Sequence, residues 1–302
     1  MEDRRFTGIG LEVIGKCNAS CEFCSWGYDK NMVYENMVTK EKITKNTDKI
    51  EIKLIDDILE MHRIKLIIFT GLSEPFMAFD RIKYIADQAT ERGLKFSSYT
   101  NGAVITEDMI RYLLDNPNFL GLHFSLNAAT DDTRRKVMKL PIEKSEHNFM
   151  KYLELRKQAN RENDTLAACV MMLTPNNKHE EGTFRNKWNT IFKPYKNCDA
   201  GVFYAGNWGN EVKNYWMQTY GHVRKCAQWD CEAPTVSADG YLYLCCYSSR
   251  FIFGHVLDQN AINNWFDRKK IFNISESTKE YPYPCCACNG IYDVIWRKEF
   301  NG

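Results

Sequence analysis

Two kinds of segment alternate along the first two thirds of this 302-residue chain, and that alternation restricts the fold more than any other feature. Short apolar runs predict strands at Gly8–Ile14, Lys65–Thr70, Lys95–Tyr99, Leu120–Leu126, Leu166–Leu173 and Gly201–Tyr204. Amphipathic stretches between them predict helices over about Asp48–His62, Phe79–Arg92, Thr106–Asp115, Ser145–Asn160 and His179–Ile191. Continuous apolar strands separated by helices indicate an α/β fold, a parallel sheet with helices packed outside. Six such units exceed a minimal open sheet and fall short of an eight-unit barrel. Periodicity leaves the strand order open.

In folds of this kind the chemistry gathers at the carboxyl ends of the strands. The polar and Gly-rich segments fall there: Cys17–Cys24 after the first strand, Gly71–Pro75 after the second, Asn101–Gly102 after the third and Ser125–Asn127 at the fourth. One candidate site on one face follows.

Cysteine is the compositional anomaly, with 12 residues that are not scattered. Cys17, Cys21 and Cys24 cluster near the start. Cys226, Cys231, Cys245, Cys246, Cys285, Cys286 and Cys288 crowd the last quarter, and Cys169 and Cys198 stand alone. No apolar run approaches a membrane span and no apolar signal segment opens the chain, so it reads as soluble and cytoplasmic, without a membrane partner. In a reducing compartment clustered thiols hold metal more often than disulfides, and soft thiolates favour zinc or iron–sulfur. Lys+Arg 40 against Asp+Glu 39 gives no basic excess, which disfavours nucleic acid as a partner.

The pattern changes after residue 207. Ser237–Cys246 (SADGYLYLCC) is a turn followed by an alternating strand, part of a hairpin. A helix-like stretch at Ala261–Ile271 and the Pro-interrupted YPYPCCAC follow. Residues 1–207 therefore form the main domain, and 208–302 a small cysteine-rich one appended to it.

CNASCEFC places Cys17, Cys21 and Cys24 in a C-x3-C-x2-C loop, with Phe23 before the last cysteine. Three thiolates can grip three irons of a cubane and leave the fourth open to another ligand. The plainer reading is a structural zinc, which usually pairs two C-x2-4-C knuckles and so fits a lone triad poorly.

The triad's spacing, its aromatic residue and its place after a first strand resemble the radical S-adenosylmethionine (SAM) superfamily. That resemblance implies a partial (β/α)6 TIM-like barrel and a 4Fe–4S cluster whose open iron is chelated by SAM. It also implies one-electron cleavage of SAM to a 5′-deoxyadenosyl radical that abstracts hydrogen from substrate, the cofactor carrying the hard step. FTGLSEPF resembles the family's segment ending Gly-Glu-Pro, which implies that Gly71, Ser73 and Glu74 hold the methionyl end, with Ser73 where a second glycine is usual. SSYTNG and HFSLNAATDDTRRKVM resemble the family's third and fourth strand ends. They imply SAM contacts from Asn101, Ser125 and Asn127, with Arg134 or Arg135 as candidate carboxylate partners. A turn at Asn101–Gly102 and an ordinary helix-surface arginine pair are the plainer alternatives.

The C-terminal cysteines resemble the SPASM/twitch appendage of this family. One auxiliary 4Fe–4S cluster is implied, from one of Cys226 or Cys231, one of Cys245 or Cys246, and Cys285 with Cys288. No further cysteines follow Cys288, which favours the shorter, twitch-like form; a structural zinc is the alternative. An auxiliary cluster that accepts an electron implies net oxidation or crosslinking. A thiol that returns a hydrogen atom implies epimerisation, with Cys169, Cys198, Cys246 and Cys286 as candidate donors. A buried free cysteine is more often just a small hydrophobe.

The first strand begins within ten residues, leaving no room before it for a leader-peptide recognition domain. The family's frequencies favour a peptide or protein substrate, with a sugar, aminocyclitol or nucleotide second. Aromatic residues in Gly201–Trp216 can line a substrate pocket or simply pack. The expected reductant is a flavodoxin or ferredoxin. A non-catalytic iron–sulfur electron carrier or redox sensor is the alternative of another class.

Overall fold

The computed structural model describes residues 4–205, 233–246 and 248–272. Its strands are β1 (Gly8–Leu11), β2 (Val33–Asn36), β3 (Lys42–Thr44), β4 (Leu66–Phe69), β5 (Lys95–Thr100), β6 (Phe119–Ser125), β7 (Leu166–Leu173), β8 (Cys198–Tyr204), β9 (Thr235–Val236), β10 (Tyr241–Cys245) and β11 (Ser248–His255). Its helices are α1 (Ser25–Tyr28), α2 (Ile52–Met61), α3 (Phe79–Arg92), α4 (Glu107–Asp115), α5 (Asp131–Met138), α6 (Glu143–Gln158), α7 (Glu181–Phe192), α8 (Gln259–Phe266) and α9 (Arg268–Ile271). Among the described residues the strands hydrogen-bond in the order β3-β2-β11-β10-β9-β1-β4-β5-β6-β7-β8. The six strands expected from sequence, β1 and β4 to β8, are neighbours in chain order and all parallel. They form the partial (β/α)6 barrel.

Local chemistry accounts for the helices. In α3, Ile82, Ile85, Ala86 and Ala89 recur at helical spacing and bury one face. Gly93 ends it in the left-handed region at φ +67°, its N–H capping the Ala89 carbonyl. Thr106 caps α4 by accepting from Met109 N, with Glu107 and Asp108 in the first turn.

Tertiary pairing overrides the periodicity in two places. The helix expected from Asp48 begins at Ile52, because Asp48–Ile50 pair with the chain after β1: Gly15 N donates to Asp48 O and Ile50 N to Val13 O. For the same reason β1 stops at Leu11 rather than Ile14. The β2–β3 hairpin was not expected. Its four- and three-residue strands carry too little alternation to be read locally, and β2 is held by parallel pairing with β11.

Beyond the barrel, β9 lies parallel to β1, Gly10 opposite Thr235, and β10 forms an antiparallel hairpin with β11. The expected turn and strand at Ser237–Cys246 are present. The expected helix at Ala261–Ile271 is two helices, α8 and α9, separated at Asp267. The boundary expected at 207/208 lies outside the described residues. No described helix is long and apolar enough to cross a membrane.

The barrel strands have two unlike faces. Helix-facing residues such as Phe96, Phe124, Cys169 and Met171 are buried in the main core. The other face lines a cavity, where Gly8 and Ala168 sit among larger residues such as Leu66, Ile68 and Val170. Gly121 has a further role. Its φ of +134° disfavours a side chain, and a Cβ there would lie 2.2 Å from Leu166 O on β7. Gly121→Ala is therefore expected to cost about 3 kcal/mol in urea unfolding, by strain and overpacking; a loss below about 0.5 kcal/mol would contradict the close approach.

Candidate active site

The cysteine loop after β1 is pinned from both sides. Ser20 N donates to Met138 O and Glu22 N to Val137 O, fastening it to the end of α5. The Glu22 carboxylate accepts from Thr174 Oγ1 at 2.6 Å and Asn176 Nδ2 at 2.7 Å, fastening it beyond β7. Within the loop Cys24 N donates to Cys21 O, Ala19 N to Cys17 Sγ at 3.3 Å, and Trp26 Nε1 to Cys17 O at 3.3 Å. All three thiols are half-buried and line one cavity of about 720 Å3.

Burial pushes the Cys17 thiol up to about 12, with Glu74 and Cys24 adding to the rise; burial and the other two cysteines raise Cys21 as well. Such thiols become thiolates when a cationic centre compensates the charge. Among the described residues, no three His, Cys, Asp or Glu side chains are gathered as ligands of a single metal ion would be. Three thiols near one another on one cavity wall are a soft donor set that fits a cubane, each thiolate binding a separate iron.

The turn after β4 forms the next wall. Gly71 has φ +106°, and a Cβ there would fall 2.4 Å from Glu12 Oε1. Gly71, Ser73 and Glu74 line the same cavity as the thiols. Ser73 Oγ is buried without a hydrogen-bond partner among the described residues, an atom that a bound ligand would satisfy. Glu74 is 1 % exposed and accepts from Thr100 Oγ1 and Asn101 N, both at 2.7 Å, and Phe76 N at 3.3 Å. Burial nevertheless raises its carboxyl to about 7.

Asn101, Ser125 and Asn127 also line the cavity. Asn101 Nδ2 donates to Asn18 Oδ1 at 2.7 Å and lies 3.8 Å from Cys17 Sγ, joining the third strand end to the cysteine loop. Asn127, at φ +59°, spends its side chain on the protein, accepting from Met172 N at 2.7 Å.

The arginines stand differently from expectation. Arg134 is fully buried and absent from the cavity wall. Its guanidinium donates to the carbonyls of Ser125, Leu126 and Asn101 and to Ser145 Oγ, which ties the ends of β5 and β6 together. Burial lowers it to about 10, while Cys21 and Glu74 pull the other way, so it is a cation set behind the site. Arg135 pairs with Asp131 one helical turn away on the exposed side of α5.

Of the C-terminal cysteines, Cys245 and Cys246 line the cavity; Cys226, Cys231, Cys285, Cys286 and Cys288 lie outside the described residues. Cys169 and Cys198 are not on its wall. Strand alternation turns Cys169 into the helix-side core, and Cys198 is engaged by Arg156 Nη2 at 3.3 Å.

Sequence reading missed a row of polar side chains inside the barrel. Pairing sets Tyr99 opposite His123, His123 opposite Ala168, and Ala168 opposite Asp199, so four strands contribute to one level. All four residues line the cavity. The Tyr99 and His123 rings stack with centroids 4.5 Å apart. Burial lowers the His123 pKa against the pull of Asp199, keeping the imidazole neutral at neutral pH. Tyr99 is 38 % and Phe203 47 % exposed although both sit on barrel strands, because the surface they expose faces this chamber. Alternation within the predicted strands groups such residues, but only pairing shows which group faces inward.

A model of the radical SAM superfamily matches residues 11–185. The chain belongs to the radical SAM superfamily. Its cofactors are accordingly a 4Fe–4S cluster and SAM, which the cavity's donor set fits. The structure resembles anSMEcpe with bound AdoMet at a TM-score of 0.59 and 14% identity, covering 93% of this chain and 86% of that one. It also resembles Streptococcus suis SuiB bound to the precursor peptide SuiA, with a TM-score of 0.52, 12% identity, and 95% and 70% coverage. At such identities the likeness speaks to the fold alone. Among curated proteins, the S-adenosylmethionine-dependent nucleotide dehydratase of Psychrobacter lutiphocae (strain DSM 21542 / CCUG 56590 / IMMIB L-1110) is 29% identical over 136 residues, 43% of each chain. The tungsten-containing aldehyde ferredoxin oxidoreductase cofactor-modifying protein of Pyrococcus furiosus (strain ATCC 43587 / DSM 3638 / JCM 8422 / Vc1) is 26% identical over 105 residues, 35% of this chain and 26% of that one. The matches therefore span less than half of these relatives' length.

Glu74 supplies a pH signature for the cofactor-free protein. Its pKa is higher folded, about 7, than the ordinary 4.5, so its stabilising contribution is complete below 4.5 and is lost as pH rises through 7. Glu74→Gln is expected to flatten the fall in unfolding free energy between pH 5 and 8 by about 3 kcal/mol. Parallel stability–pH curves for wild type and variant would show that the carboxyl is not buried as described.

Proposed function

We propose that Cys17, Cys21 and Cys24 hold the SAM-binding 4Fe–4S cluster, and that the chain directs radical hydrogen abstraction at a C–H bond of a peptide or protein. The bound cluster and SAM supply one-electron cleavage of SAM to methionine and a 5′-deoxyadenosyl radical. Gly71, Ser73 and Glu74 would hold the methionyl end through the Ser73 hydroxyl, unpartnered among the described residues, and the Glu74 carboxylate. Asn101 and Ser125 border the same space, and Arg134 steadies two of its strand ends from behind.

A single observation carries the reading: the three thiols, the Glu74 turn and the Tyr99–His123–Asp199 level share one cavity, so cofactor and substrate sites are continuous. Cys245 and Cys246 reach the same wall. One of them, with Cys226 or Cys231 and with Cys285 and Cys288, would ligate one auxiliary 4Fe–4S cluster in a domain spanning 208–302. An electron acceptor placed there makes oxidation or crosslinking the expected outcome; Cys246 as hydrogen donor would make it epimerisation. Flavodoxin or ferredoxin supplies the electron.

The peptide reading is supported by the likeness to folds solved with peptides, SuiB with SuiA and anSMEcpe with the Cp18Cys peptide. The match to a nucleotide dehydratase supports the second reading, a nucleotide or other small polyhydroxylated substrate.

Anaerobically reconstituted protein given SAM and dithionite should form 5′-deoxyadenosine, and none forming would leave an electron carrier or redox sensor. Deuterium passing into that product from a labelled peptide, rather than from a labelled nucleotide, separates the two substrate readings. Cys17→Ala should abolish the product. Cys288→Ala should lower auxiliary iron while sparing part of the SAM cleavage, and wild-type turnover in both would overturn the ligand assignment.

A further inference from the structure

Behind the turn of Gly71–Glu74 lies a buried ion pair that is absent from the cavity wall. Lys45 Nζ donates to Glu12 Oε2 at 2.6 Å, with side-chain exposures of 1% and 0%. The ammonium's other donors reach Tyr243 OH at 2.8 Å and Tyr34 OH at 3.1 Å, so its three protons have three acceptors. Tyr243 OH in turn donates to Glu12 Oε2 at 3.1 Å, and Tyr34 OH to Asp239 Oδ1 at 3.1 Å.

The free end of this network points at the site. Glu12 Oε1, the oxygen that takes neither Lys45 nor Tyr243, accepts the Leu72 N–H at 2.7 Å. The Glu12 side chain also occupies the space a Cβ on Gly71 would need, its Cγ 2.3 Å from that position. Leu72 is buried with Trp26 and Met32, and Cys17 and Cys24 pack against that cluster. One carboxylate thus touches the backbone of the turn on one side and is fixed from β10 and the β3 end on the other.

We infer that Glu12 is a positioning residue for the SAM-facing turn, its carboxylate aimed by Lys45 and Tyr243 so that Leu72, Ser73 and Glu74 present one fixed wall. This rests on the proposal that the turn takes the methionyl end of SAM. An ion pair kept this far from water is costly unless every partner is placed, so it holds a geometry more than it adds stability. Tyr243 lies two residues before Cys245, so the appended hairpin and the SAM-facing turn share this anchor.

The test uses anaerobically reconstituted full-length protein, with SAM affinity read from the change in the reduced cluster's EPR signal, beside iron content and thermal unfolding. Tyr243→Phe removes the hydroxyl that bonds both Glu12 and Lys45 and should raise the SAM Kd about fivefold with iron content unchanged, only part of what such bonds are worth because Glu12 acts on SAM through the turn. Tyr34→Phe removes a hydroxyl that bonds Lys45, Asp239 and Tyr243 but not Glu12 itself, and should leave Kd within about twofold of wild type, even if both variants melt earlier. Glu12→Gln combined with Lys45→Met, which avoids stranding a buried charge, should raise Kd at least about tenfold. Wild-type affinity in Tyr243→Phe, or an equal shift in Tyr34→Phe, would overturn the inference. Glu74→Gln distinguishes the two levels: weakened binding there beside wild-type binding in Tyr243→Phe defeats the inference alone. Wild-type binding in Glu74→Gln defeats the placement of SAM at this turn as well.

Discussion

Alternate residues of a β-strand must face opposite ways, and the parallel barrel turns that requirement into a division of labour. One set of side chains is committed to the helices: Phe96, Phe124, Trp188 and their neighbours close-pack there, and a thiol on that side, Cys169, becomes part of the core. The other set is released from packing. Gly8 and Ala168 sit there beside Leu66, Ile68 and Val170, and the polar and aromatic residues Tyr99, His123 and Asp199 join them at one level. A chamber of about 720 Å3 is the result, with the ends of β1, β4, β5 and β6 opening onto it.

Around that chamber, charge is fixed from behind rather than displayed. Glu74 is held by two backbone amides and a threonine hydroxyl, Arg134 by three carbonyls and a serine, and Glu12 by a lysine, a tyrosine and a backbone amide. Each group is nearly or wholly removed from water. A buried charge with its partners in place has little freedom to reorient, and preorganised dipoles of this kind cost no rearrangement when a ligand arrives. Arg134 illustrates how a motif can mislead: the residue type suits a carboxylate, but its fork is already occupied by the backbone it braces.

The hairpin β10–β11 belongs to the same argument. It continues the sheet from the far edge of β1, through β9, and so brings Cys245 and Cys246 to the wall that already carries the cysteine loop. Two groups of cysteines separated by more than two hundred residues therefore meet one cavity. That convergence is set by the pairing of the hairpin with the sheet and does not depend on spacing patterns.

Much of this was written locally. Each barrel strand was visible as an apolar run, and α3 was legible to the residue because its periodicity and its Gly93 cap are properties of adjacent side chains. The cysteine loop and the glycine-bearing turn declared themselves for the same reason, since their chemistry lies within a few consecutive residues. Three features could be decided only by the folded chain. The β2–β3 hairpin exists through its pairing with β11; the level of Tyr99, His123 and Asp199 exists through the register of separate strands; and the Glu12–Lys45–Tyr243 network joins residues up to 231 positions apart. Periodicity tells a segment what it can form, while the partner that satisfies its hydrogen bonds, and the face it turns to the interior, are set by contacts the segment does not contain.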